Sequence, residues 1–283
     1  MSNHRSDTTL NGSKLKRRRT RFLKRYVVSS DEHSFVGRLY GLGIVSLNFD
    51  SYESMCQYPD IKYAVDSGYW ADNLVSRVES LNLAGDLLWP EPMPSSFKSM
   101  PVSRYQWLTI AADVFLVRYV SVIDCALLLV NQVFQLGFSP RSCTAQKILK
   151  APIPDDLRVL IQSMFDEQEL IRTERNARVH HGLEREFTDD DTTFRTASLF
   201  TDKGSGMVGT DRYGRKVNVD LSFREGLAGM QRDFNHHVVR LEGHLERLYD
   251  LLWEAFEDRF GPLVAKATHG MNANAKHRRS SAT

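Results

Sequence analysis

Arg175-Asn176-Ala177-Arg178-Val179-His180, with His181 and Gly182 directly after it, is the stretch on which the reading of this chain turns. It closes a segment that begins at Ile153-Pro154-Asp155-Asp156-Leu157. Proline in a first turn with acids beside it starts a helix, because its missing N–H has no partner there and the acids face the positive end of the helix dipole. Gly182 supplies the stop. Within the predicted helix, Leu157, Ile161, Met164, Gln168, Arg175 and Val179 share one stripe at helical spacing. Its first half is apolar and its second half polar, with Arg172, Arg175 and Asn176 clustered there. A charge facing a core is costly, so Arg175 needs either a polar cleft or a buried partner.

Working outward, residues 102–136 form a long apolar stretch carrying Asp113, Arg118 and Asp124, ended by Gly137 and Pro140. Charges inside it argue for a buried helix and against a membrane span. Asp124 is a candidate partner for Arg172 or Arg175 across the helix interface. Residues 61–84 read as helix, and Pro90, Pro92 and Pro94 break the chain after it. Residues 31–58 carry mixed signals, since Gly37, Gly41 and Gly43 weaken a helix that Phe35, Leu39, Leu42 and Val45 would suit. Residues 192–220 are rich in Thr, Val, Phe and Gly, with turn signals at Lys203-Gly204-Ser205-Gly206 and Tyr213-Gly214, and read as a small β-hairpin insertion. Ser222-Phe223-Arg224-Glu225 has the form of a capping box, followed by a long helix to Phe260 that Gly261-Pro262 ends. The expected fold is all-α: a helical bundle with a small β-hairpin insertion before the last long helix. Residues 27–260 are expected to form one domain, between a basic disordered tail over 1–26 and a polar tail over 261–283.

The net charge of +2 over 283 residues hides an asymmetry. Residues 1–26 carry +8 and residues 261–283 carry +4, leaving −10 on the body between them. Lys16, Arg17, Arg18, Arg19, Arg21, Lys24 and Arg25, interleaved with Phe22 and Tyr26, form a run suited to gripping RNA backbone. Arg18-Arg19 lacks the apolar segment that an export signal needs. The three cysteines make no CxxC pair and no disulfide framework, which fits a reducing compartment. His236, His237 and His244 have no carboxylate at a metal-site spacing, so no metal and no cofactor is expected.

Arginine, asparagine and histidine on one helix suit phosphodiester cleavage without metal. A neutral imidazole can take a proton from a ribose 2′-OH or give one to a leaving oxygen. A guanidinium can hold the charge that builds on the phosphate, and Asn176 can bond a phosphate oxygen or orient the histidine. Arg175 and His180 lie roughly 140° apart on the helical wheel, a wide separation that the length of arginine partly spans. His181 or Arg178 could instead serve the C-terminal dipole of the helix.

Arg175-Asn176-x-x-x-His180 resembles the signature of the HEPN superfamily, the higher eukaryotes and prokaryotes nucleotide-binding domains. The preceding helix, with Tyr119, Asp124, Leu127-Leu128-Leu129 and Asn131 through Phe134, and the long final helix are similar to that family's element order over roughly residues 105–260. The resemblance implies a helical bundle, usually dimeric, with two motifs meeting in one cleft. It implies a metal-independent endoribonuclease of a toxin–antitoxin or anti-phage system, in the cytoplasm, with RNA, a second copy of the chain and an antitoxin protein as partners. By the same resemblance Arg175 is the phosphate-stabilising residue, Asn176 the polar assistant and His180 the acid or base. His181 also satisfies the spacing, and Arg172 and Asp124 are supporting residues. The alternative within the family is a non-catalytic module that binds RNA, nucleotide or a protein partner.

Overall fold

The computed structural model describes residues 21–207 and 209–267. Its longest elements are helices: α1 (Ser34–Gly43), a 3-10 turn (Ile44–Asn48), α2 (Tyr52–Met55), α3 (Pro59–Asp86), α4 (Arg104–Val133), α5 (Ala145–Lys150), α6 (Asp155–His181), α7 (Asp191–Lys203) and α8 (Val219–Lys266). Helix α4 is the hub and touches α3, α5, α6, α7 and α8. A helix packed on several sides must be apolar around most of its circumference. Leu108, Ala112, Phe115, Tyr119, Ile123, Leu127 and Val130 are all buried, as are Ala111, Val122 and Leu129 on a second face. Ser103 and Gln106 start it with a reciprocal capping box.

Helix α8 spans 48 residues, about 70 Å at ~1.5 Å per residue. It runs parallel to α4, with Phe115 against Phe234 and Tyr119 against His237 at ring separations of 5.3 and 5.7 Å. Helix α6 runs antiparallel to both. It is tied to α4 through Arg178–Asp113 and Arg172–Asp124, and to α8 through Glu167–His244, while Arg185 in the segment after it pairs with Asp233 of α8. The three cysteines are unpaired.

The expected β-hairpin over 192–220 is not there. Residues 191–203 form α7, and within the described part of the remainder the only β pairing is an isolated bridge between Thr210 and Lys216. Burial of one helical face overrode the β propensity of the threonines. Phe194, Ala197 and Ser198 are buried against α4 and α8, and the Asp190 side chain caps the helix at the Thr193 N–H. The Lys203-to-Gly206 glycines end this helix, with the Gly204 and Gly206 N–H groups returning to the Phe200 carbonyl. Asp202, buried at the start of α4, takes the Arg104 backbone N–H at 2.8 Å and also pairs with the Arg104 guanidinium.

Three boundaries also differ. Helix α8 begins at Val219 with Asn218 as its cap, so the expected capping box Ser222–Glu225 lies inside the helix. It continues through Pro262 to Lys266 and takes the first residues of the expected polar tail. Proline's fixed φ suits a helix, and packing of Leu263 and Val264 on the core offsets the lost hydrogen bond. Residues 21–30, of which 21–26 are part of the expected disordered tail, form an extended strap in the groove between α3 and α8. The Gln231 side chain accepts from the Leu23 N–H at 3.1 Å, and Asn235 brackets the strap by accepting from the Tyr26 N–H and donating to the Lys24 carbonyl. Asn82 does the same for both backbone groups of Val28. Side-chain amides thus satisfy a backbone that has no strand partner.

Candidate active site

The buried stripe of α6 is Leu157, Ile161, Met164, Gln168 and Ile171, stepping by four and three residues. The next two steps of that register are Arg175 and Arg178. Arg178 is the more deeply placed of the two. Its side chain is 6% exposed and its Nε donates to Asp113 at 2.6 Å, with Nη2 donating to the Thr109 carbonyl at 3.3 Å. Val179, expected on the stripe, is 56% exposed. Sequence reasoning placed Arg178 only at the helix dipole. Continuing the four–three register by one more step would have found it.

Arg175 is half-buried and makes no hydrogen bond or ion pair among the described residues. Asp124 takes Arg172 instead, at 3.1 Å, and the Arg172 guanidinium lies 5.0 Å from the Phe165 ring centre. Asn176, His180 and His181 are exposed. The helix ends where expected: Gly182 adopts φ +65°, its N–H returns to the Arg178 carbonyl, and the Leu183 N–H returns to the Ala177 carbonyl. Both histidines therefore sit in the last turn, where the helix dipole favours positive charge. Two turns before Arg175 on the same stripe, the Gln168 side-chain amide is fully buried without a hydrogen-bond partner among the described residues.

Other predicted groups are dispersed. Lys16, Arg17, Arg18 and Arg19 lie outside the described residues. Arg21 and Lys24 are exposed at the start of the strap. Arg25 is not a free cation, because its guanidinium is engaged by Asp86 and by the Asn82 carbonyl. His244 pairs with Glu167 at 3.2 Å. His237 is held below the ordinary imidazole range, chiefly by burial and then by the neighbouring His236. Among the described residues no group of three or more His, Cys, Asp or Glu side chains could hold a metal ion.

The HEPN_Cthe2314-like HEPN family model matches residues 70–242, more than half of the 283-residue chain. The chain belongs to this family. The match begins within α3, earlier than the element order alone suggested, and ends within α8. No curated protein and no solved structure matches the chain. Among the described residues no helix is long and apolar enough to cross a membrane.

Proposed function

We propose that the chain is a metal-independent endoribonuclease in which Arg175, Asn176 and His180 act on the phosphodiester. The observation that carries this reading is Arg175: a guanidinium on the core-facing stripe of α6 with no hydrogen-bond or ion-pair partner among the described residues, one residue before an exposed asparagine and five before an exposed histidine. A cation at such a position favours an anionic ligand, and a phosphate matches its planar donors. His180 is the acid or base, with His181 as the other candidate in the same turn. Arg172 and Asp124 support the site as an ion pair beside it. Arg175 and His180 diverge by roughly 140° around the helix, so one protomer alone presents them poorly to a single phosphate. A homodimer that brings two motifs together would complete the cleft. The basic head (Lys16, Arg17, Arg18, Arg19, Arg21 and Lys24) would add salt-sensitive, sequence-independent grip on RNA; Arg25 drops out because it is already paired. The reading makes the protein a cytoplasmic effector of a toxin–antitoxin or anti-phage system, with an antitoxin protein as its restraint.

The test is incubation of the purified chain with total RNA in EDTA, beside Arg175→Ala and His180→Ala. Cleavage should leave 2′,3′-cyclic phosphate and 5′-hydroxyl ends, because the attacking group is the ribose 2′-OH. Each variant should lose about 10²-fold or more. RNA cut equally by parent and variants would end the proposal, and RNA bound but left intact by the parent would make the chain a binding module of the same family.

A further inference from the structure

A cleft of about 520 Å³ opens beside the end of α6, between the first turns of α4, helix α7 and the segment after Gly182. Its walls include Tyr105, Thr109, Ile110, Glu184, Arg195 and Leu199. The volume falls within the ~300–1,000 Å³ of small-molecule sites. Ile110 and Leu199 are 45% and 50% exposed, so two aliphatic faces stand open to solvent across it. The polar groups are few and fixed. One oxygen of Glu184 accepts from the Tyr105 hydroxyl at 2.9 Å and from Arg195 at 3.0 Å. The Arg195 guanidinium lies 5.8 Å from the centre of the Tyr105 ring. The other Glu184 oxygen makes no hydrogen bond among the described residues and can accept from a ligand N–H.

The cleft meets the motif helix at Thr109, whose carbonyl accepts from Arg178. Gln106, Ile110, Asp113, Val117 and Asp124 follow one face of α4 at four- and three-residue steps and their multiples. Arg178 and Arg172 dock on that face at Asp113 and Asp124. The same Arg178 guanidinium that donates to the Thr109 carbonyl at the cleft wall carries a buried Nη1 without an acceptor. A buried cationic donor left unpaired is costly and rare.

We propose that this cleft is a nucleobase subsite: a planar base lies between the aliphatic faces of Ile110 and Leu199 and the Arg195 plane, an edge N–H donates to Glu184, and the attached sugar–phosphate leads along α4 past Arg178 toward the motif. An arginine guanidinium plane is one of the platforms on which unstacked bases of single-stranded RNA are held. This subsite rests on the endoribonuclease reading only for the direction of the strand, not for the base itself.

The experiment is calorimetric titration of the four ribonucleoside 5′-monophosphates into the full chain and into Ile110→Asp, Leu199→Asp and Arg195→Ala, with inorganic phosphate as the probe for charge alone. At least one nucleotide should bind the parent, phosphate at equal concentration should not displace it, and each variant should bind tenfold or more weakly at an unchanged unfolding midpoint. The inference is overturned if no nucleotide binds, if phosphate displaces it fully, or if those variants that keep the parent midpoint bind as the parent does. Mononucleotides contain no bond for the proposed reaction to cut. Loss of binding here and absence of RNA cleavage there are therefore separate failures.

Discussion

At the scale of single residues, α6 sets two arginine–aspartate pairs against the same helix in different surroundings. Arg178 is 6% exposed and its partner Asp113 is 47% exposed, whereas Arg172 and Asp124 are 31% and 53% exposed. Removing a partner from a buried guanidinium leaves a charge that water cannot reach, while an exposed pair is replaced by hydration. Asp113→Ala should therefore cost about 1–3 kcal/mol of stability, and Asp124→Ala less than about 1 kcal/mol. Urea unfolding of the two variants compares them directly, and equal losses would show that burial does not separate the pairs. The contrast also marks what a sequence can and cannot carry at this scale. Arg175 was legible because it falls on an apolar stripe, and Asp124 because it interrupts one. Arg178 was within reach of one further step of that register, but its partners Thr109 and Asp113 were not, because no local pattern encodes the register of α4 against α6.

Between elements, a glycine of α8 leaves room for a side chain of α4. A Cβ on Gly226 would lie 2.4 Å from Leu108 Cδ1 and 3.2 Å from Phe187 Cβ. Leu108 is fully buried, so its methyl would have to shift within the packed core. Gly226→Ala should cost about 1–3 kcal/mol through overpacking. Gly243, on the same helix, has nothing within 4 Å of its missing Cβ, and Gly243→Ala should gain about 0.4–1 kcal/mol by narrowing the unfolded ensemble. Thermal unfolding of the pair checks both signs, and a stabilising Gly226→Ala would refute the close packing. Element existence was readable where periodicity ran long: α3, α4, α6 and α8 all appear near their expected places. Helix α7 was misread because thirteen residues with several threonines look extended until the burial of Phe194 and Ala197 is known. The strap was missed for a related reason. Its order comes from Asn82, Gln231 and Asn235, residues 54 to 211 positions away along the chain, and not from anything in the basic run itself.

For the molecule as a whole, the fold class followed from four long periodic segments, but the position of the site relative to the core required the three-way packing of α4, α6 and α8. That packing buries ionisable groups, which makes stability depend on pH at both ends. On the acid side, His237 sits beside Tyr119 with His236, Asp233, Arg240 and Arg185 around it, and its folded-state pKa is lowered, first by burial. The unfolded chain binds a proton near the ordinary value of about 6.5, while the folded chain resists it. The unfolded state then holds more protons, so stability falls as pH drops below that value and levels off below the depressed folded pKa. On the alkaline side, burial is the main cause raising the phenol pKa of Tyr63, Tyr105, Tyr119 and Tyr249, and of Tyr40 to about 12. Above about pH 10 the unfolded chain loses protons that the folded chain keeps, so stability falls as pH rises. The unfolding midpoint of the parent should form a plateau between these limbs. His237→Gln should flatten the acid limb and leave the alkaline limb in place. An acid limb unchanged in that variant would assign it to other groups, and a midpoint that holds steady from pH 9 to 11 would contradict the burial of the tyrosines.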